Sequence, residues 1–335
     1  MPVVAHPKLP SIDRLADQGM VLTPEQALEN AYDNELHIGL LNLMPDAALE
    51  ATERQFIRLL ASDNQTLVHV YPTTVDAESR SDYSKKYIDQ HYNAIKDFMS
   101  RDYDGLIISG ANPSQADMTQ ESFWEPLIEV MEWAEQNTNS ILCSCLATHA
   151  LMKAKFNINR TLRKAKSWGV FPHRILHPDH PLMENITDGF NGPHSHYYDI
   201  SIEEIEETNL KILAVNDRAG FFLLATQESD LILFQGHPEY DDKSLLKEYE
   251  REIKNYLTSQ RPDYPEVPEN YFSDITVSRL DEEKKNILDN KEFNSFDSSA
   301  LEDIDLGWIE TGAVSYTHLR AHETSLHLVC RLLLE

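Results

Sequence analysis

Ser140-Ile141-Leu142-Cys143-Ser144-Cys145-Leu146-Ala147-Thr148-His149 joins a short apolar run to a helix-forming one. The run ends near Ser144, and the helical stretch Leu146 to Phe156 starts two residues later. A buried strand feeding straight into a helix is half of a βαβ unit. Cys145 then falls on the turn at the carboxyl end of a strand, where open α/β sheets place their ligand sites. A helix N-terminus favours a thiolate and offers backbone N–H groups, beginning with that of Leu146, to an oxyanion. The turn is similar to a nucleophile elbow without its flanking glycines. A cysteine is more often a small core hydrophobe, and Cys143, on the strand itself, keeps that reading. Its place on the turn makes Cys145 the candidate nucleophile.

The same alternation runs through the sequence on either side. Upstream, strand-like Leu36–Asn42 precedes a helical Ala48–Ala61, and Leu67–Tyr71 precedes a helix over Tyr83–Ser100. Gly105–Ile108 reads as a strand and Phe123–Gln136 as a helix. Strands alternating with helices of roughly 10 to 15 residues predict a mostly parallel sheet with helices on both faces. After Trp168 the pattern changes to short strands at Phe171–Leu176, Ile212–Val215, Phe221–Ala225 and Leu231–Phe234, expected at the sheet's remaining edge with antiparallel members. Helices follow over Asp242–Tyr256 and near Arg279–Leu288. Residues 1–35 read as an N-terminal arm with one short helix, Pro24–Ala31. Residues 36–260 read as the catalytic domain, and 261–313 as an acidic C-terminal extension.

The chain has 335 residues, 41% hydrophobic, and 29 Lys+Arg against 56 Asp+Glu for a net charge of −27. Such a field repels phosphate, which argues against a nucleic-acid or anionic-membrane binder. No apolar run approaches the about 18 residues of a transmembrane helix, and the start lacks a signal peptide's basic and apolar segments. Three cysteines suit a reducing compartment, so a cytoplasmic protein is expected. The 11 glycines form no G-x-G and no G-x-x-x-x-G-K, which removes the dinucleotide and P-loop fingerprints.

A thiol nucleophile needs a base. The strand Leu231–Phe234 leads into Gln235-Gly236-His237-Pro238-Glu239-Tyr240. A strand-end His followed two residues later by Glu can put both side chains on one side, the carboxylate holding the tautomer while the other ring nitrogen faces the thiol. The turn Gly110-Ala111-Asn112-Pro113 can lend backbone N–H groups, Ala111 among them, to an oxyanion hole. Residues 151–170 carry Lys153, Lys155, Arg160, Arg163, Lys164 and Lys166 with no acid. Such a run is usually a solvated face, yet directly after the nucleophile it can offset the negative field for a phosphate-bearing substrate. His194 and His196 with Asp199 allow a metal reading, but the spacing is loose and no open-site motif accompanies it, so no metal is expected.

At these residues the chain resembles the homoserine O-succinyltransferases, methionine-pathway enzymes with a class I glutamine amidotransferase-like (flavodoxin-like) α/β fold. The likeness runs from about Leu36 to Tyr256. It is carried by Leu41-Asn42-Leu43-Met44-Pro45, Thr52-Glu53-Arg54-Gln55-Phe56, Tyr103-Asp104-Gly105-Leu106-Ile107, Ser144-Cys145, Pro193-His194-Ser195 and Gly236-His237-Pro238-Glu239-Tyr240-Asp241. The resemblance implies a ping-pong transfer with no cofactor beyond acyl-CoA as co-substrate. Cys145 would take the acyl group as a thioester, with His237 as base and Glu239 orienting it, and the hydroxyl of L-homoserine would then attack. It places substrate contacts on Lys166, Ser195 and Arg251, the last pairing bidentately with the homoserine carboxylate. A homodimer is implied by resemblance alone.

Three departures stand out. Where typical members follow Asn-Leu-Met-Pro with two lysines, this chain has Asp46-Ala47. The glycine turn continues Asn112-Pro113-Ser114 instead of the family's Gly-Ala-Pro form. A glycine near Ser114 suits succinyl and a glutamate acetyl; serine is small and leaves room, which favours succinyl-CoA as donor over acetyl-CoA. Cysteine with His-x-Glu on this fold also hydrolyses glutamine, and a degenerate member serving as a binding module is the non-enzymatic alternative. Finally, the last 22 residues, VSYTHLRAHETSLHLVCRLLLE from Val314 to Glu335, resemble the translation of a sequencing-library adapter. They are expected to be non-native, with the natural sequence interrupted near Ala313.

Overall fold

Eleven strands among the described residues lie side by side in one sheet in the computed structural model. The structure describes residues 3–289, with breaks at 6–8, 11, 13–14, 16–20, 29–31, 33, 62–65, 77–79, 185 and 187. In chain order the amino-terminal elements are β1 (Val3–Ala5), β2 (Val21–Leu22), α1 (Pro24–Leu28), β3 (Asn34–Leu41), α2 (Leu49–Leu60), β4 (Thr66–Thr73), α3 (Asp82–His91) and α4 (Ile95–Phe98). The central ones are β5 (Gly105–Ile108), α5 (Trp124–Asn137), β6 (Ser140–Ser144), α6 (Leu146–Phe156), β7 (Thr161–Ile175) and β8 (Phe190–Asp199). The last are α7 (Ile202–Glu206), β9 (Lys211–Asn216), β10 (Gly220–Ala225), β11 (Leu231–Phe234), α8 (Ser244–Leu257) and α9 (Asp274–Asp289).

The strand order is β2-β1-β4-β3-β5-β6-β11-β10-β9-β7-β8. Pairing is parallel from β2 to β11 and antiparallel from there to β8. Period-two alternation divides the core between the two faces. Leu40, Ile107, Leu142 and Ile232 pack on one face with Leu49, Phe56, Ile57 and Leu60 of α2. Leu41, Ile108, Cys143 and Leu233 pack on the other with Leu127 and Val130 of α5 and Ala147 and Leu151 of α6. The mostly parallel α/β sheet with helices on both faces is therefore as expected, and Cys143 is the core hydrophobe it was read to be.

Several elements differ from their sequence reading. The helix expected over Tyr83–Ser100 breaks at Tyr92, whose backbone is extended (ψ 151°). There Asn93 turns its N–H and its side-chain amide onto the Pro72 carbonyl of β4, at 2.8 and 3.0 Å. Capture by the carboxyl end of β4 overrides helical continuity. The strand expected at Phe171–Leu176 is the end of 15-residue β7, and its antiparallel partner β8 was not foreseen. The segment Phe190–Asp199 carries Pro193 and two histidines in place of an apolar alternation, although Pro193, His194 and His196 are buried. The N-terminal arm is not peripheral: β1 lies between β2 and β4, and Val3, Val4, Leu9 and Leu15 are buried.

Residues after 260 also pack closely. Tyr264, Tyr271, Phe272 and Leu280 form a third cluster with Trp168 and Val170 of β7 and Leu245, Leu246, Tyr249 and Ile253 of α8. The expected extension beyond residue 289 and the adapter-like tail over 314–335 lie outside the described residues. Among the described residues no helix is long and apolar enough to cross a membrane.

Candidate active site

The carboxyl ends of β6 and β11 lie next to each other because the two strands run parallel, with Ser144 opposite Phe234. Cys145 leaves β6 at φ 51° and ψ −106°, on the positive-φ side that a residue with a Cβ adopts only under constraint. Two bonds supply that constraint. The Cys145 N–H donates to the Phe234 carbonyl at 2.7 Å, and the Thr148 hydroxyl sits 2.8 Å from the same oxygen. Helix α6 begins at Leu146, so Cys145 stands at its N-terminus. On the other side, a Cβ on Gly110 would lie 3.5 Å from that of Cys145, so the backbone leading into Ala111 runs against the thiol-bearing residue. The strand–turn–helix read from the sequence is thus built as expected, with Cys145 on the turn.

His237 leaves β11 two residues after Gln235 and is held by its own N–H, which donates to the Pro193 carbonyl of β8 at 3.0 Å. Its Nδ1 lies 2.9 Å from Glu239 Oε1, and its ring stacks on Tyr240 with centroids 4.2 Å apart. Nε2 is buried without a hydrogen-bond partner of its own and interacts with Cys145. Burial alone would strip the ring of its proton. The Glu239 charge and the interaction with Cys145 outweigh it and push His237 up to about 10. The imidazolium form is therefore favoured, with Nδ1–H donating to Glu239. By contrast the Cys143 thiol, fully buried in the core, is pushed up by desolvation.

Glu248 on α8 is the residue the sequence reading missed. Ser195 Oγ donates to its Oε2 at 2.5 Å, Trp168 Nε1 at 2.9 Å and Lys166 Nζ at 3.2 Å, and Tyr240 donates to Oε1. Burial raises a carboxylic acid's hold on its proton, but Lys166 and these hydrogen bonds overcome it and lower the Glu248 pKa. Lys166 is lowered in turn by its own burial, against the pull of Glu248, and its ammonium lies 4.0 Å over the Trp168 ring. Lys166 and Ser195 thus meet on one carboxylate. Arg251, a turn further along α8, keeps a half-exposed guanidinium 3.5 Å from Glu252 and acts electrostatically on Lys166. The available signal for Glu248 was its place one turn before Arg251 on the charged face of an amphipathic helix. Such acids are usually solvated, so nothing marked this one out.

Two of the basic run are paired elsewhere: Lys155 with Glu135 at 2.7 Å, and Arg163 with Asp199. Ser114 is exposed, its hydroxyl 3.1 Å from Glu121 Oε2. The histidines considered as metal ligands instead bond one another. His173 Nε2 lies 2.9 Å from His194 Nε2, and His194 Nδ1 lies 3.1 Å from His196 Nε2. His196 Nδ1 donates to the Tyr198 carbonyl at 2.9 Å. Among the described residues, only Glu35, His37 and His69 bring three ligand atoms within 4.8 Å of one another. They sit on the amino-terminal halves of β3 and β4, remote in sequence from Cys145, and Glu35 already pairs with His69 at 2.7 Å.

Residues 2–290 match the family model described as homoserine O-succinyltransferase. The homoserine O-succinyltransferase of Methylobacter tundripaludum is 44% identical over 326 residues, covering 95% of this chain and 92% of that protein. That of Methylococcus capsulatus is 47% identical over 276 residues, covering 82% and 78%. Among solved structures, a glutamine amidotransferase from Methylobacillus flagellatus aligns with 89% of this chain and 94% of its own. Its identity is 14% and its TM-score 0.49.

Proposed function

The chain belongs to the homoserine O-succinyltransferase family, and from that membership we propose a ping-pong transfer of a succinyl group from succinyl-CoA to the hydroxyl of L-homoserine through a thioester on Cys145. The family's enzymes are acyltransferases of methionine biosynthesis. In the first half-reaction the Cys145 thiolate attacks the thioester carbonyl carbon. Charge gathers on the carbonyl oxygen, to which the N–H groups of Leu146 and Ala111 donate. The bond to CoA sulfur breaks, and that sulfur leaves with the proton of the His237 imidazolium. In the second half, neutral His237 takes the hydroxyl proton as the homoserine oxygen attacks. The bond to Cys145 sulfur breaks, and thiolate and imidazolium are restored.

The observation that carries this reading is His237 itself, tied by Nδ1 to Glu239 and coupled to Cys145. The negative charge on Cys145 is one of the forces that keeps the His237 proton in place. Acylation removes that charge, so the proton is released when CoA needs it and the ring becomes a base when homoserine arrives. On the acceptor side, Arg251 offers a guanidinium to the homoserine carboxylate, and Ser195 and Lys166 line the approach from Glu248.

The test is intact-protein mass after mixing with succinyl-CoA in the absence of acceptor. One succinyl adduct, absent in Cys145→Ala and lost on adding homoserine, is the expected result. An acetyl adduct from acetyl-CoA and none from succinyl-CoA would reverse the donor. No adduct from either, in folded protein that releases ammonia from glutamine, would replace the reading with a glutaminase.

A further inference from the structure

Arg160 is a cation of the basic run to which this mechanism gives no role. It lies between α6 and β7, and its guanidinium carbon stands 4.0 Å over the Tyr198 ring. One edge of the fork, Nη2, reaches the carbonyl oxygens of Gln115 and Ala116 at a long 3.4 Å. Its Nε is buried and has no hydrogen-bond partner. The stacked face is used, one edge is weakly bonded, and one buried donor is open.

The loop that Arg160 touches is the one that starts at the nucleophile. Gly110 packs against Cys145, and five residues on, Gln115 presents its carbonyl to Arg160. Arg160 and Cys145 are near enough for their charges to interact directly. The acids that also act on Arg160, Glu121 and Asp117, are already held by other donors. Glu121 accepts from the Ser114 hydroxyl and the Gln115 N–H, and Asp117 from Thr119. A guanidinium placed in this way can exchange two long carbonyl contacts for a charge-assisted, bidentate carboxylate pair.

We propose that Arg160 is a further specificity-determining residue for the acyl group, beside the Ser114 position, receiving the distal carboxylate of a succinyl chain carried on Cys145. The inference rests on the donor reading above and gives it a physical cause. In a chain of net charge −27, an anionic acyl group needs a local cation to be admitted at all. A neutral acyl chain has no such need.

Succinyl-CoA and butyryl-CoA separate the alternatives, because the acyl chains are alike in length and differ in carrying a carboxylate or a methyl group. The rate of acyl-enzyme formation from each would be followed by intact mass in wild type, Arg160→Met and Arg160→Lys. The expected result is a fall of about 10- to 100-fold in the succinyl-to-butyryl rate ratio in Arg160→Met, the loss of one charged hydrogen-bonding partner. Arg160→Lys, which restores the charge without the fork, is expected to recover part of it. A merely structural role would slow both donors together, and an unchanged ratio in Arg160→Met overturns the inference alone. A wild-type protein that takes butyryl but no succinyl overturns the inference and the donor reading together.

Discussion

His237 keeps its proton against burial because two groups facing it raise its pKa, Glu239 and Cys145. Each can be removed separately. Glu239→Gln abolishes the carboxylate charge while keeping a hydrogen-bonding shape. It is expected to lower the His237 pKa from about 10 and to slow acyl transfer by about 10²-fold or more. Cys145→Ala removes the other group and is expected to lower the same pKa by a smaller step, since Glu239 is the stronger of the two raising influences. NMR titration of the imidazole in both variants measures the two shifts independently of turnover. A His237 that titrates identically in wild type and Cys145→Ala would break the link between acylation and proton release.

At the scale of elements, the long β7–β8 hairpin connects the site to the carboxyl-terminal segment. Gly169 of β7 lies at φ +142°, and a Cβ there would come within 2.2 Å of the Glu269 carbonyl oxygen. The Glu269 N–H donates to the Trp168 carbonyl at 2.9 Å, and the Val170 N–H donates back to the Glu269 carbonyl at 2.9 Å. Gly169→Ala therefore forces backbone apart from backbone, in a conformation that already favours glycine. The expected cost is about 2–4 kcal/mol of unfolding free energy, measured by urea denaturation. Since Trp168 also donates to Glu248, the same substitution is expected to raise the KM for homoserine. A variant as stable as wild type would show that residues 261–289 contribute nothing to holding β7.

The whole molecule carries a group of neutral buried histidines beneath the site. Burial pushes His149 and His173 down to about 4 and holds His194 and His196 well below the ordinary range. In the unfolded chain each takes up a proton near 6.5. Between about 6.5 and 4 the unfolded state therefore binds more protons than the folded one, and stability falls as the pH drops through that window. His237 acts in the opposite direction. Its raised folded pKa contributes stability fully present below about 6.5 and lost as the pH rises through about 10. Urea midpoints from pH 4.5 to 10 are expected to trace a dome, with the alkaline limb flattened in Glu239→Gln. A midpoint independent of pH between 4.5 and 6.5 would mean that these histidines are protonated in the folded protein.

Much of this was legible in one dimension. An apolar strand ending at Ser144 before a helical Leu146–Phe156 places Cys145 on an elbow, and His237-Pro238-Glu239 supplies a candidate base with its candidate orienter. Those are local patterns, set by side-chain periodicity and by what a strand end does to the next residues. The sequence determined the alternating α/β class, and the candidate nucleophile and its candidate partners were picked out in the same way. Tertiary structure decided what depends on elements meeting. The parallel pairing of β6 with β11 brings residues 145 and 237 to one edge of the sheet. Helix α8 turns Glu248 toward Lys166, Trp168 and Ser195, three residues from two strands, and so converts an ordinary helix-face acid into a hub. The buried histidines of β8 read as polar because hydropathy weighs a side chain as water would. Their burial is made tolerable by hydrogen bonds, from His194 to His173 on the neighbouring strand and from His196 to His194 and the Tyr198 carbonyl, and hydropathy records no such partners.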